Sequence, residues 1–279
     1  MNTKGIRLAA LDLDGTLLHE DKTISDHTLS VLEKLTKDGI LVVPATGRNL
    51  EGLRDNILRV PNISYAVCSN GAQVFRLSDQ KLLYEAAIPL EDAVSVIRYL
   101  QTFPTFIYVH TEKGTFRSGN WRDTNLKKRF PFIRFEENNV ADLPAFLSEK
   151  RLRVIKIGVF VLDDGIFRRL LEKESPMPSI SQFRTGPCNL ELNAAGASKA
   201  YGVEALCRHL NLAMSQVLAM GDNQNDISLL RAAGVSVAMG NSEEDVKAAA
   251  GFVTGTNEAD GAAEFLGRYF SLTPAPGRE

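Results

Sequence analysis

Two apolar runs lie on either side of one helix-length amphipathic stretch near the start of the chain, and no other feature limits the fold as tightly. The first run, Ile6 to Leu13, ends in Asp14-Gly15-Thr16, where glycine permits a tight turn, and reads as a buried strand opening into a loop. Ser25 or Asp26 can cap the helix, which carries Val31, Leu32 and Leu35 on its inner face. Gly39 then ends it before the second run, Ile40-Leu41-Val42-Val43. Strand, helix and strand in close succession make a βαβ unit, whose strands pair in parallel through a right-handed crossover.

The same reading predicts a helix over Leu50–Leu58, a strand at Tyr65–Cys68, a turn at Ser69-Asn70-Gly71, and short paired strands at Ala72–Phe75 and Lys81–Glu85. From about Ala86 to Pro187 the character changes. Helices at Glu91–Leu100, Leu143–Glu149 and Asp164–Lys173 alternate with strands at Thr105–Val109, Thr115–Arg117, Val154–Val161 and Ile180–Arg184, which implies a second, smaller α+β domain. After Cys188 the α/β rhythm returns: strand Leu190–Leu192, helix Lys199–His209, strand Val217–Met220, helix Asp226–Ala233, strand Val235–Ala238, and helices Glu243–Ala249 and Ala259–Phe270. The expected division is therefore a core in two parts, 1–85 and 188–270, an insert at 86–187, and a flexible tail at 271–279.

At 279 residues, two packed units are expected. A hydrophobic share of 44% and a charged share of 24% are those of an ordinary soluble globular protein. The net charge of −2, with no long run of one sign, lacks the basic field that nucleic acid or an anionic membrane requires. The expected partner is a small molecule, with no nucleic acid, no membrane, and a monomer or small homo-oligomer as the working state. Cys68, Cys188 and Cys207 form no CxxC pair and read as core thiols. No apolar segment approaches the ~20 residues of a membrane span and no signal-peptide hydrophobic region is visible, so a cytoplasmic setting is expected.

The chemistry-bearing residues gather where strands end. Asp12-Leu13-Asp14 closes the first strand, at the edge where open α/β sheets bind ligands, and alternation puts Leu13 on the opposite side from the two acids. Like charges so close separate their proton affinities, leaving one acid as nucleophile and the other as a partly protonated donor; a solvated strand-end turn also fits the bare pattern. Asp222 and Asp226, in Gly221-Asp222-Asn223-Gln224-Asn225-Asp226, offer oxygen ligands for Mg2+ alongside Asp12, or simple helix capping. Thr46-Gly47-Arg48 follows the second strand with a hydroxyl and backbone N–H groups suited to phosphate oxygens, and Lys199 at a helix start can add a positive charge.

Taken in order, these segments resemble the four motifs of the haloacid dehalogenase (HAD) superfamily, and specifically its Cof-type class IIB phosphatases. Ser69-Asn70-Gly71-Ala72, Val237-Ala238-Met239-Gly240-Asn241 and Thr256-Asn257-Glu258-Ala259-Asp260-Gly261 are similar to accessory signatures of that branch. One departure is that Lys199 is followed by Ala200 rather than glycine, with no proline in Leu192–Gly196.

The resemblance implies a Rossmann-like doubly wound core with an inserted α+β cap of the C2B type, and a Mg2+-dependent phosphatase acting on phosphate monoesters, sugar phosphates first. It implies catalysis by Asp12 as nucleophile and Asp14 as acid and base, metal binding by Asp12, Asp14 (through its backbone carbonyl), Asp222 and Asp226, and phosphate binding by Thr46, Gly47, Lys199 and Asn225. Leaving-group contacts would come from Arg48, Asn70, Tyr108, His110, Arg117, Trp121, Arg122 and Arg184. The alternatives are a phosphomutase, a dehalogenase proper, or a non-catalytic binder of phosphorylated metabolites.

Overall fold

The computed structural model describes residues 5–53, 60, 62–119, 128, 138–172 and 177–272. Trp121 and Arg122, the expected helix beyond Leu53, and the tail beyond 272 lie outside these residues. The chain divides into two compact units, residues 1–85 with 198–279, and residues 86–197.

In the first unit, β1 (Leu8–Leu11), β2 (Leu41–Pro44), β11 (Val217–Gly221), β12 (Val235–Ala238) and β13 (Phe252–Val253) form a wholly parallel sheet in the order β13-β12-β11-β1-β2. Every residue of β1 is buried. Ala9 and Leu11 pack on one face with Leu32 and Leu35 of α1 (Asp26–Lys37) and Leu266 of α9 (Gly261–Tyr269). Leu8 and Ala10 pack on the other with Val203 and Leu206 of α6 (Lys199–Leu210). Burial on both sides is why the first run reads as apolar throughout rather than alternating. Ser25 caps α1 by accepting from the Thr28 N–H at 3.0 Å.

Beyond β2, the strand β3 (Tyr65–Cys68) joins through one parallel bridge, Ala45 to Val67, and then pairs antiparallel with β4 (Gln73–Arg76), itself paired to β5 (Lys81–Glu85). Further described helices are α2 (Leu50–Leu53), α7 (Ile227–Ala232) and α8 (Glu244–Ala248).

The second unit is an antiparallel sheet of β6 (Phe106–Thr111), β7 (Gly114–Ser118), β8 (Val154–Phe160), β9 (Ile180–Gly186) and β10 (Asn189–Ala194), ordered β7-β6-β8-β10-β9. Its helices are α3 (Leu90–Leu100), α4 (Leu143–Lys150) and α5 (Asp164–Glu172). Phe116 of β7 meets Phe146 of α4 with ring centroids 4.8 Å apart, which marks the helix-covered face.

The strand expected to reopen the core at Leu190–Leu192 is β10, hydrogen-bonded between β8 and β9 of this second sheet, and the first unit resumes at Ser198 instead of 188. Cys68, Cys188 and Cys207 are free and buried. Among the described residues no helix is long and apolar enough to cross a membrane.

Candidate active site

The central strand β1 has β2 on one side and β11 on the other, and the chain's departures to opposite sides open a crevice at the carboxyl ends. Backbone pairing runs on past the strands: the Asp12 N–H donates to Met220 O at 3.0 Å and the Ala45 N–H to Leu11 O at 2.8 Å. Asp12, Thr46 and Asp222 are thereby set side by side on adjacent strand ends.

Lys199, at the first position of α6, is completely buried and donates to Asp12 Oδ1 and Asp226 Oδ1, both at 2.6 Å. Burial opposes its charge, but the two carboxylates more than compensate and hold the ammonium above its usual pKa. Asp226 does not cap α7. Its Oδ2 accepts from the N–H groups of Asp222 and Asn223, each at 3.1 Å, and so shapes the loop after β11.

Burial raises the Asp12 carboxyl well above the ordinary range; the Lys199 charge opposes this, and those of Asp226 and Asp222 add to it. Asp222 rises to about 7, from burial first and then the charge of Asp226. Asp12, Asp222 and Asp226 each offer an oxygen, all within 4.8 Å of one another. Three carboxylates facing one lysine leave negative charge in excess, and an all-oxygen donor set fits a hard divalent cation.

Asp14 behaves oppositely to the like-charge expectation. Arg48 grips it with both ends of the guanidinium, Nε to Oδ2 and Nη2 to Oδ1, each at 2.7 Å, and Lys22 Nζ lies 2.9 Å from Oδ1. Burial alone would raise its pKa, but the hydrogen bonds and charge of Arg48, helped by Lys22, bring it down to about 2. Arg48 and Lys22 thus hold Asp14 ionised, while burial and the charges of Asp226 and Asp222 push Asp12 the other way against the opposing Lys199. Arg48, expected at the leaving group, spends its charge here.

Thr46 is buried, and its Oγ1 accepts from the Arg48 N–H at 3.1 Å, while Gly47 sits between them in the turn. Asn225 Nδ2 donates to Asn70 Oδ1 at 3.0 Å, and the Asn225 Oδ1 is buried with no partner. Asn70 occupies a left-handed conformation (φ 57°) in the turn after β3, and its N–H donates to Thr46 O. Thr16 Oγ1, not singled out from the sequence, donates to Asp222 Oδ1 at 3.3 Å. Gly15 (φ 79°) permits this closeness, since a Cβ there would lie 2.3 Å from Asp222 Oδ2.

In the second unit, Tyr108, His110 and Arg117 share the face opposite the helices. Tyr108 donates to Glu191 Oε1 at 2.7 Å, and Lys156 Nζ pairs with the same oxygen at 2.6 Å. That buried pair had no signal in the sequence, because the two residues meet only through strand register. His110 is held neutral by burial and by the charges of Lys156 and Arg117. Arg184 lies on β9, where Nε donates to Gly186 O at 3.4 Å.

A parallel sheet with an acid at its switch point, a buried lysine against that acid and three carboxylates that could hold a cation make an α/β fold with a charged, oxygen-lined site at its strand ends. A model of the haloacid dehalogenase-like hydrolases matches residues 9–266. The chain is 30% identical over 267 residues to the 5-amino-6-(5-phospho-D-ribitylamino)uracil phosphatase YcsE of Bacillus subtilis (strain 168), with 94% of each chain covered. It is 28% identical to the pyridoxal phosphate phosphatase YbhA of Escherichia coli (strain K12), over 93% of this chain and 97% of that one. A solved HAD subclass IIB sugar phosphatase matches with a TM-score of 0.81 at 26% identity, covering 96% of this chain and all of the other. The chain belongs to the haloacid dehalogenase-like hydrolase family and is a phosphatase of its Cof-type class IIB branch.

Proposed function

We propose that the chain hydrolyses small-molecule phosphate monoesters, sugar phosphates first, through a phosphoryl group carried on Asp12, with Mg2+ as cofactor. The observation that carries this reading is the set of Asp12, Asp222 and Asp226 oxygens within 4.8 Å of one another, with Lys199 against two of them. The phosphatases of vitamin-precursor, pyridoxal and sugar phosphates among the relatives support the substrate class.

Asp12 attacks phosphorus in line, the bond to the leaving oxygen breaks, and Asp14 supplies the proton that oxygen takes. Asp14 then removes a proton from water as water attacks the same phosphorus, which frees Asp12 and releases inorganic phosphate. An Asp14 kept ionised by Arg48 and Lys22 suits the second half-reaction. For the first, Arg48 has to release Asp14, and the substrate phosphate offers the guanidinium a replacement partner. Lys199, the Thr46 hydroxyl, the Gly47 N–H and Asn225 hold the transferring group. The cation, held by Asp12, Asp222 and the Asp14 carbonyl with Asp226 behind, would neutralise phosphoryl oxygens and keep Asp12 ionised.

The test is phosphate release from a panel of sugar phosphates, nucleotides and phosphorylated vitamins, with Mg2+ and with EDTA. Mg2+-dependent release from at least one sugar phosphate is expected. Release unaffected by EDTA would overturn the cofactor, and release confined to another class would overturn the substrate.

A further inference from the structure

The loop after β1 returns on itself and brings Lys22 to Asp14. The Lys22 N–H donates to His19 O at 3.0 Å and the His19 N–H to Thr23 O at 3.0 Å, so residues 19–23 form a tight turn. Lys22 itself sits at φ 66°, a conformation that L residues other than glycine seldom adopt, and from there Nζ reaches Asp14 Oδ1. Thr23 stiffens the turn by giving its N–H and hydroxyl to Asp21 Oδ1 at 2.9 and 2.6 Å.

The loop's outer side is fastened by two signature segments that the reaction leaves unused. Asn241 Nδ2 donates to Gly15 O and Asn257 Nδ2 to Leu18 O, both at 2.9 Å, and the Glu20 N–H donates to Glu258 Oε1 at 2.7 Å. Asp260 Oδ1 accepts from Ser25 at 2.6 Å and Thr28 at 3.0 Å, and lies 3.2 Å from His19 Nε2. Asn257 and Asn241 are joined to each other through the Asn257 N–H at 3.1 Å. Backbone carbonyls inside a loop, each taken by a side chain from elsewhere, fix its path rather than its mere attachment.

We propose that Lys22 is a positioning residue for Asp14, delivered by a loop whose path Asn241, Asn257 and Asp260 set. The proposal rests on the reading of Asp14 as the group that moves the proton to the leaving oxygen. Arg48 reaches Asp14 from the β2 side and Lys22 from the loop, so the carboxylate is held from two directions. When Arg48 turns to the substrate, Oδ2 is freed to carry the proton while Lys22, on Oδ1, keeps Asp14 aimed.

A group that only aims the proton donor matters where the leaving oxygen needs a proton, and little where it does not. The probes are therefore p-nitrophenyl phosphate, whose leaving group departs unprotonated, and benzyl phosphate, an alkyl-type ester. Lys22→Met is expected to lower kcat/KM for benzyl phosphate about tenfold and for p-nitrophenyl phosphate no more than about twofold, with Lys22→Arg restoring most of the loss. Asp260→Ala should show the same selectivity, and the double variant should be no worse than Lys22→Met alone. Equal losses on both probes, or none on either, would overturn the proposal. Asp14→Asn separates the two readings. If it shows the selectivity and Lys22→Met does not, only the role of Lys22 falls. If Asp14→Asn treats both probes alike, the proton-transfer reading of Asp14 falls and takes the proposal with it.

Discussion

Lys199 has no exposed side-chain surface and answers two carboxylates at 2.6 Å. Replacing it by methionine would leave Asp12 and Asp226 facing each other in the interior with nothing between them. Stripping one partner from a buried charge pair costs about 3 to 5 kcal/mol, and Lys199→Met should move the urea midpoint down accordingly. An unchanged midpoint would mean that the ion pairs are not formed. The residues of this cluster were legible in the sequence because each stands at the end of an apolar strand in a recognisable segment. Lys22, Lys156 and Glu191 were not, because a left-handed turn and a strand register bring them to their partners, and neither leaves a local mark. The grip of Arg48 and Lys22 on Asp14 was likewise invisible, since the spacing of the two acids does not reveal which cations meet them.

Among the elements, α6 lies unusually close to the turn after β3. A Cβ on Gly202 would sit 2.6 Å from Val67 Cγ1 and 2.7 Å from the Gly71 Cα, so the helix reaches this depth only because it carries no side chain there. Gly202→Ala is expected to destabilise the protein by about 1 to 3 kcal/mol, seen as a lower thermal midpoint, and to slow turnover by lifting Lys199 away from Asp12. A midpoint raised by the better helix propensity of alanine would contradict this packing. Strands and helices of the first unit were readable from their apolar runs and caps. β10 was assigned to the wrong sheet because its buried Leu190 and Leu192 look the same whether their strand pairs with β8 or with a core strand. The two-residue β13 was too short to carry a pattern at all.

For the molecule as a whole, crowded carboxylates tie stability to pH and to cations. Burial and the neighbouring Asp226 hold the Asp222 pKa at about 7 in the folded chain against 3.8 as its ordinary value. Between those two values the folded state keeps a proton that the unfolded chain has lost, so without metal this group makes stability fall as pH rises from about 4 to 7. The proposed Mg2+ would bind the ionised form, so the gain in thermal midpoint on adding Mg2+ should be larger at pH 8 than at pH 5. An equal gain at both values would place the cation elsewhere.

All of these effects converge on the carboxylate at the end of the central strand, and the turnover of Asp12→Asn on a sugar phosphate tests it most directly. The change keeps size and removes the nucleophile, so the variant should fold with an unaltered circular dichroism spectrum and lose on the order of 10^4-fold or more in kcat. A folded Asp12→Asn protein that still releases phosphate at the wild-type rate would contradict the assignment of Asp12 as the residue that carries the phosphoryl group.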